Sequence, residues 1–217
     1  MAEGEIRQWQ KGAMTQVAQV TEERGNRFND VIADPAGRVF CGTMSTSARS
    51  ARLYRLDPDR RITMLFDGVG TSNGIGFSPD RKTVYYTDTK PRTIYRFDYD
   101  EATGDIRNGG IFVTVPDREG EGKPDGLTVD SEGCIWSARW GGHCVVRYGP
   151  DGREIDRCEV PVARVSSVAF GGPDLDDLFI TTAGGDNREE NGELAGSVFH
   201  MKTSVRGVPE FRSRITS

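Results

Sequence analysis

Three polar side chains that can bind a cation or polarise a substrate occupy equivalent places in an internal repeat. Asn29, Asn73 and Asp125 each stand at the start of a short apolar segment that runs into a turn, and Ser166 occupies a fourth such place. Amide and carboxylate oxygens are hard donors that suit Ca²⁺, Mg²⁺, Mn²⁺ or, with few ligands, Zn²⁺. The pattern therefore indicates an oxygen-lined site for one small ligand or ion.

The repeat also indicates which elements position these side chains. The steps from Asn29 to Asn73, Asp125 and Ser166 are 44, 52 and 41 residues, close to the length of a four-stranded propeller blade. Equivalent positions of successive blades converge on a central channel, so distant residues can meet there. We predict one partial β-propeller domain over 1–217, with 1–28 as the outer part of an incomplete blade and blades at 29–72, 73–124, 125–165 and 166–217.

Composition favours the same all-β class and limits the kinds of partner that the protein is expected to bind. The chain has 27 glycines and 10 prolines in 217 residues, which supply frequent turns. Runs such as 84–87 and 180–182 are rich in β-branched and aromatic residues, and no window keeps helical periodicity. A net charge of −5 with interspersed signs argues against nucleic acid, and no stretch of 18 apolar residues predicts a membrane span. The predicted partner is a small molecule.

The cysteines and histidines exclude several other kinds of site. Cys41, Cys134, Cys144 and Cys158 lack CxxC spacing, which favours reduced thiols in a cytoplasmic protein over disulfides or a zinc knuckle. The two histidines, His143 and His200, are far apart in the sequence. A histidine-based zinc site or a Ser-His-Asp triad is therefore not expected.

A set of short motifs carries a specific resemblance. They occur in order along nearly the whole chain, at 27–30 (Arg-Phe-Asn-Asp), 34–38 (Asp-Pro-Ala-Gly-Arg), 42–44 (Gly-Thr-Met), 72–74 (Ser-Asn-Gly), 124–126 (Pro-Asp-Gly) and 170–172 (Phe-Gly-Gly). Each is weak alone because Asn-Gly and Asp-Gly are ordinary turn dipeptides. Together, within a repeat, they resemble the SMP-30/gluconolactonase/regucalcin family.

The resemblance implies a six-bladed propeller that holds one divalent cation (Ca²⁺, Zn²⁺, Mn²⁺ or Mg²⁺) and hydrolyses sugar lactones to aldonic acids. Asn73 and Asp125 match two of the family's metal ligands, whereas Arg27 and Asn29 match positions that face the substrate. Asp125 is also expected to orient or deprotonate the attacking water as general base. Arg27 and Asn29 are expected to donate hydrogen bonds to sugar hydroxyls or to the developing oxyanion.

Other interpretations stay open from sequence. Asn73-Gly74 and Asp125-Gly126 are also what two simple turns require, although their equivalent repeat positions favour a site. A calcium-binding regulatory protein of the regucalcin type and an inactive partial propeller are the alternatives to a lactonase. The short segment 45–50 resembles that of sugar lactonases more than the longer loop of animal regucalcin.

The length departs from the family pattern. Six blades of about 45 residues need roughly 270 residues, and this chain has 217, so we expect an N-terminally truncated propeller. The family's glutamate ligand in a Gly-Glu-Gly/Ser-Pro segment has no counterpart here, and Glu3 and Glu5 are the nearest acidic residues. We therefore expect weakened metal binding and self-association through exposed blade edges.

Overall fold

Short antiparallel strands make up most of the computed structural model, which describes residues 4–215. Glu3 lies outside this range. The described chain begins with a hairpin of β1 (Glu5–Gln10) and β2 (Ala13–Gln19), followed by a 3₁₀ turn at Thr21–Glu23.

Four meandering sheets follow, and in each the neighbouring strands are consecutive in sequence. The first three have four strands: β3 (Phe28–Ala33), β4 (Val39–Thr43), β5 (Ala51–Leu56) and β6 (Ile62–Val69); β7 (Ser72–Phe77), β8 (Thr83–Asp88), β9 (Thr93–Asp100) and β10 (Asp105–Thr114); β11 (Lys123–Val129), β12 (Ile135–Trp140), β13 (Cys144–Tyr148) and β14 (Glu154–Glu159). The last contains β15 (Val165–Gly171), β16 (Asp177–Thr182) and β17 (Val198–Lys202), with the short helix α1 (Arg188–Asn191) before β17. The predicted all-β propeller class, with four blades, is confirmed.

The described chain divides into two compact units. One comprises the described residues of Met1–Ser72, Tyr99–Arg107 and Glu210–Ser217, and the other comprises Asn73–Asp98 and Asn108–Pro209. The prediction of a single domain with the blade boundaries given above stays a prediction. Among the described residues, no helix is long and apolar enough to cross a membrane.

A buried aspartate fixes the turn after the first strand of the β11–β14 sheet. Asp130 is 0% exposed, and its Oδ1 accepts hydrogen bonds from the backbone N–H groups of Glu132 and Cys134, both at 3.0 Å. Its Oδ2 accepts from Trp136 Nε1 at 2.9 Å and from two nitrogens of Arg147 at 2.7 and 2.9 Å. One carboxylate thus satisfies five donors at a place where water does not reach them.

The β3–β6 sheet carries an equivalent aspartate in the other unit. Asp34, also 0% exposed, accepts hydrogen bonds from the Arg38 backbone, from Arg38 Nη1 and from the hydroxyl of Tyr99. Gly37 closes this turn with a φ of 87°, a conformation that favours glycine. The Asp-Pro-Ala-Gly-Arg motif is therefore a structural clamp of the turn.

The apolar core of the second unit is formed by facing sheets. Trp136 of β12 is buried and contacts Phe170 of β15 edge-on, with ring centroids 5.8 Å apart. This edge-on contact packs the β11–β14 sheet against the sheet that contains β15. Trp140, at the end of the same strand, differs because 38% of it is exposed.

The buried thiol of Cys41 is expected to make the protein less stable at alkaline pH. Burial raises the pKa of Cys41 from 9.0 to about 12. Above pH 9 the unfolded chain releases this proton while the native chain keeps it, so the free energy of unfolding falls as pH rises. We expect Cys41 to account for a loss of about 2 kcal/mol between pH 8 and 10.5. Urea unfolding of wild type and Cys41→Ala across this pH range measures the effect. We expect the difference in free energy of unfolding between the two chains to narrow as pH rises. A difference that stays constant with pH contradicts this prediction.

Candidate functional site

The predicted substrate residues Arg27 and Asn29 contact each other at the start of β3. Arg27 is exposed, and its Nη1 donates to Asn29 Oδ1 at 2.7 Å and to the Phe28 carbonyl at 3.1 Å. The amide of Asn29 donates through Nδ2 to the carbonyl of Ser72 at 2.8 Å. Both ends of the Asn29 amide are therefore held, and Arg27 is oriented through Asn29.

Asn73 and the strand that carries Asp125 are linked in the second unit through one hydroxyl. Asn73 is 9% exposed, and its Nδ2 lies 2.7 Å from Thr89 Oγ1. The same Thr89 hydroxyl lies 2.7 Å from the carbonyl of Pro124, the residue before Asp125. A chain of two hydrogen bonds thus runs from the Asn73 side chain to the backbone beside Asp125.

The direction of this chain determines how the Asn73 amide is turned. The Pro124 carbonyl can only accept, so the single proton of the Thr89 hydroxyl is donated to it. The Thr89 oxygen can then only accept a hydrogen bond from Asn73, so the amide nitrogen is the atom of Asn73 that faces Thr89. Oδ1 of Asn73 consequently points away from Thr89. The amide oxygen is the atom through which an asparagine binds a divalent cation.

The polar repeat positions coincide with breaks in strand register. The pairing of β3 with β4 shifts between Phe28 and Val31, around Asn29. The pairing of β11 with β12 shifts between Pro124 and Leu127, around Asp125, and that of β15 with β16 shifts between Val165 and Ser167, around Ser166. Such bulges bend a strand and re-aim a side chain next to functional sites.

Glycines allow the first strands of neighbouring sheets in the second unit to approach closely. A Cβ on Gly74 would lie 2.8 Å from the Asp125 carbonyl oxygen and 2.4 Å from the Leu127 nitrogen. A Cβ on Gly126 would lie 2.3 Å from Ser167 Oγ. The glycines after Asn73 and Asp125 are therefore required by backbone packing, which adds to the turn chemistry expected of these dipeptides.

The donor chemistry of Asn73 and Asp125 fits a divalent cation of the oxygen-binding type. Asn73 carries an amide oxygen, and Asp125 carries a carboxylate and is half-buried at the bulge of β11. Residues 4–215 contain no group of three or more His, Cys, Asp and Glu side chains that could hold a metal. Asn73 and Asp125 would contribute one amide oxygen and one carboxylate to a site, and so small a donor set leaves coordination positions for water and substrate.

Thr89 is the functional residue that sequence reasoning missed. It follows the last residue of β8 and belongs to none of the repeat motifs. A threonine at this place gives no signal of its own in the sequence. Ser166, expected to line the pocket, is half-buried, and its Oγ lies 2.9 Å from Thr181 Oγ1.

Comparison with known proteins identifies the family. The model of the SMP-30/gluconolactonase/LRE-like region matches residues 2–184. The chain belongs to this family. A pentonolactonase from Haloferax volcanii is 54% identical to this SMP-30/gluconolactonase chain over 196 residues, which cover 87% of the chain and 67% of that protein. Regucalcin from Danio rerio is 40% identical over 180 residues, 81% of the chain and 60% of that protein.

Solved structures of SMP-30/gluconolactonase relatives share the fold. A structure described as a calcium-binding protein, regucalcin, from Agrobacterium tumefaciens superposes with a TM-score of 0.85 at 34% identity, covering 94% of this chain and 71% of that one. A luciferin-regenerating enzyme gives a TM-score of 0.86 at 31% identity, covering 97% of this chain and 75% of that one. The chain thus spans between 60% and 75% of the length of these four relatives.

Proposed function

We propose that this protein hydrolyses a sugar lactone to the aldonic acid with the help of one divalent cation. The observation that carries the proposal is the Asn73–Thr89–Pro124 chain of hydrogen bonds, which fixes the Asn73 amide, with its nitrogen towards Thr89, beside the strand of Asp125. The pentonolactonase similarity supports the reaction class, and the structure described as a calcium-binding regucalcin supports a divalent cation.

Asn73 and Asp125 would hold the cation in this proposal. When bound, a divalent cation polarises the lactone carbonyl and lowers the pKa of a water molecule. Asp125 would orient a water molecule towards the carbonyl carbon and accept its proton as general base, and that proton would pass to the ring oxygen when the acyl C–O bond of the lactone breaks. Thr89 keeps the Asn73 oxygen in place so that the donors need no reorganisation when the reaction begins.

Arg27 and Asn29 keep the roles that the family resemblance predicts. The guanidinium of Arg27 has further N–H groups beyond the one that binds Asn29 and Phe28. These donate to hydroxyls of the sugar or to the oxyanion that develops during attack. Asn29 fixes the direction of Arg27 through the 2.7 Å hydrogen bond.

Hydrolysis of D-glucono-1,5-lactone and a pentono-1,4-lactone, followed as acid release with the spontaneous rate subtracted, tests the proposed function. The chain is first treated with EDTA and then supplied with Mn²⁺, Zn²⁺, Ca²⁺ or Mg²⁺. We expect a rate above background only with metal. A rate that is unaffected by EDTA, or none with any metal, contradicts the proposal.

Calcium binding without turnover is the second candidate function. Its support is the similarity to regucalcins, one of which is described as a calcium-binding protein. The same experiment separates the two candidates when it is paired with a Ca²⁺ titration. Saturable Ca²⁺ binding together with no lactone hydrolysis above background favours the second candidate.

Thr89 is expected to act as a positioning residue for the metal. Thr89→Val keeps the side-chain shape but removes both hydrogen bonds, so the Asn73 amide is no longer fixed. We expect the metal concentration for half-maximal activity to rise about 10- to 100-fold. Thr89→Ser, which keeps the hydroxyl, is expected to restore most of the affinity. Equal metal requirements for Thr89→Val and wild type would contradict this role.

A further inference from the structure

Trp140 is an exposed aromatic residue at the end of an otherwise buried strand. The other residues of β12, from Ile135 to Arg139, are buried, whereas Trp140 keeps 38% of its surface exposed. An indole that is partly exposed at the end of a blade strand presents a flat apolar surface with a single N–H donor.

Trp140 lies next to the strand that carries Asp125. In the register of β11 with β12, Trp140 pairs with Lys123 and Arg139 pairs with Pro124. Asp125 follows Pro124 and is two residues after Lys123, a separation of about 7 Å along a strand. The indole therefore belongs to the same end of this sheet as the proposed general base.

Arg164 lies against the Trp140 ring. The two residues form an antiparallel bridge ahead of β15, and the guanidinium carbon of Arg164 is 5.5 Å from the ring centroid of Trp140. This is the distance of a cation–π contact. A guanidinium in such a contact still carries N–H groups that can donate to a ligand.

The backbone around Trp140 is tightly held. The N–H groups of Gly141 and His143 both donate to the Ala163 carbonyl, at 2.8 and 3.3 Å. A Cβ on Gly122 would lie 2.8 Å from the Trp140 carbonyl oxygen. A surface held in this way loses little freedom when a ligand binds to it.

The two basic side chains beside the indole do not take part in ion pairs among the described residues. Across residues 4–215, neither Arg164 nor Lys123 is part of an ion pair, unlike Arg118, Arg147 and Arg157 of the same unit. An arginine that is stacked and half-buried but not paired retains donors for a ligand. Hydroxyl groups and a carboxylate are the acceptors that such donors recognise.

We propose that Trp140 and Arg164 form a sugar-recognition surface that selects polyhydroxylated lactones over unsubstituted ones. The indole packs on the C–H face of the sugar, and the Arg164 guanidinium donates to its hydroxyls. This inference rests on the proposed lactone hydrolysis and deepens it by assigning specificity to residues that lie outside the Asn73, Asp125, Arg27 and Asn29 set.

The test compares D-glucono-1,5-lactone with δ-valerolactone, which has the same ring and no hydroxyls. Arg164→Met keeps an apolar side chain over the indole and removes the donors. We expect KM for the sugar lactone to rise about 10- to 100-fold with kcat changed less than about threefold, and KM for δ-valerolactone to stay unchanged. Arg164→Lys is expected to restore part of the loss, and Arg153→Met, at an exposed arginine, is expected to change neither substrate.

An equal change in KM for both lactones, or none for either, overturns the inference. Binding of the product D-gluconate, measured by calorimetry, tests the Trp140–Arg164 surface without requiring turnover. If wild type hydrolyses neither lactone, the proposed function fails. The inference then stands only if gluconate binds to wild type and binding is weakened at least tenfold in both Arg164→Met and Trp140→Ala. Unchanged binding, or no binding to wild type, overturns it.

Discussion

Asp125→Ala is expected to lower kcat/KM for metal-dependent lactone hydrolysis by about 10³-fold or more. The substitution removes the proposed general base and the single carboxylate that accompanies the Asn73 amide. Loss of a full negative charge beside a divalent ion also weakens its binding. The measurement is the rate with saturating metal, together with the metal concentration that gives half of that rate.

Asp151→Asn is the matched control for Asp125→Ala. Asp151 is an exposed aspartate of the same unit whose carboxylate accepts from the Arg153 backbone in a turn. We expect activity and metal requirement within about twofold of wild type, as for most surface substitutions. An Asp125→Ala chain that keeps full activity and the wild-type metal requirement contradicts the assignment of Asp125.

Asp130→Ala is expected to reduce the free energy of unfolding by about 3–5 kcal/mol. Asp130 is fully buried, and its removal leaves Arg147 Nε, the Trp136 indole N–H and two backbone N–H groups without their acceptor. These unsatisfied donors, together with the loss of the buried carboxylate partner of Arg147, account for the effect. Urea unfolding measures it.

Glu132→Ala provides the comparison for Asp130→Ala, because Glu132 binds the same Arg147 nitrogen at 2.8 Å but is 61% exposed. An exposed ion pair contributes less than about 1 kcal/mol. Asp130→Asn, which keeps one acceptor oxygen, is expected to fall between the two. Similar losses for Asp130→Ala and Glu132→Ala would show that the buried clamp does not stabilise the sheet.

The repeat made the blades predictable because each begins with a polar residue and an apolar strand. Asn29, Asp125 and Ser166 lie where strand register breaks, and spacing alone indicated their equivalence. Pattern reasoning does not reveal the bulges themselves, since an extra residue in one strand is visible only against its partner. The buried roles of Asp34 and Asp130 were likewise hidden, because a turn aspartate looks the same whether exposed or clamped.

Thr89 and Trp140 show what sequence could not provide. A threonine after a strand carries no signal of its own, and its role follows from being within 2.7 Å of both Asn73 and Pro124. Trp140 and Trp136 both belong to β12, and only the exposure of Trp140 and the position of Arg164 distinguish the two. Such roles depend on contacts between sheets that are far apart in sequence.

Mn²⁺ binding measured by electron paramagnetic resonance tests the central claim, that Asn73 and Asp125 hold a divalent cation. Titration of the metal-free chain reports free Mn²⁺ directly and needs no turnover. We predict one saturable site in wild type, a loss of affinity of at least tenfold in both Asn73→Ala and Asp125→Ala, and no change in Asp151→Asn. Wild-type affinity in both site variants, or no saturable site in wild type, would contradict the account.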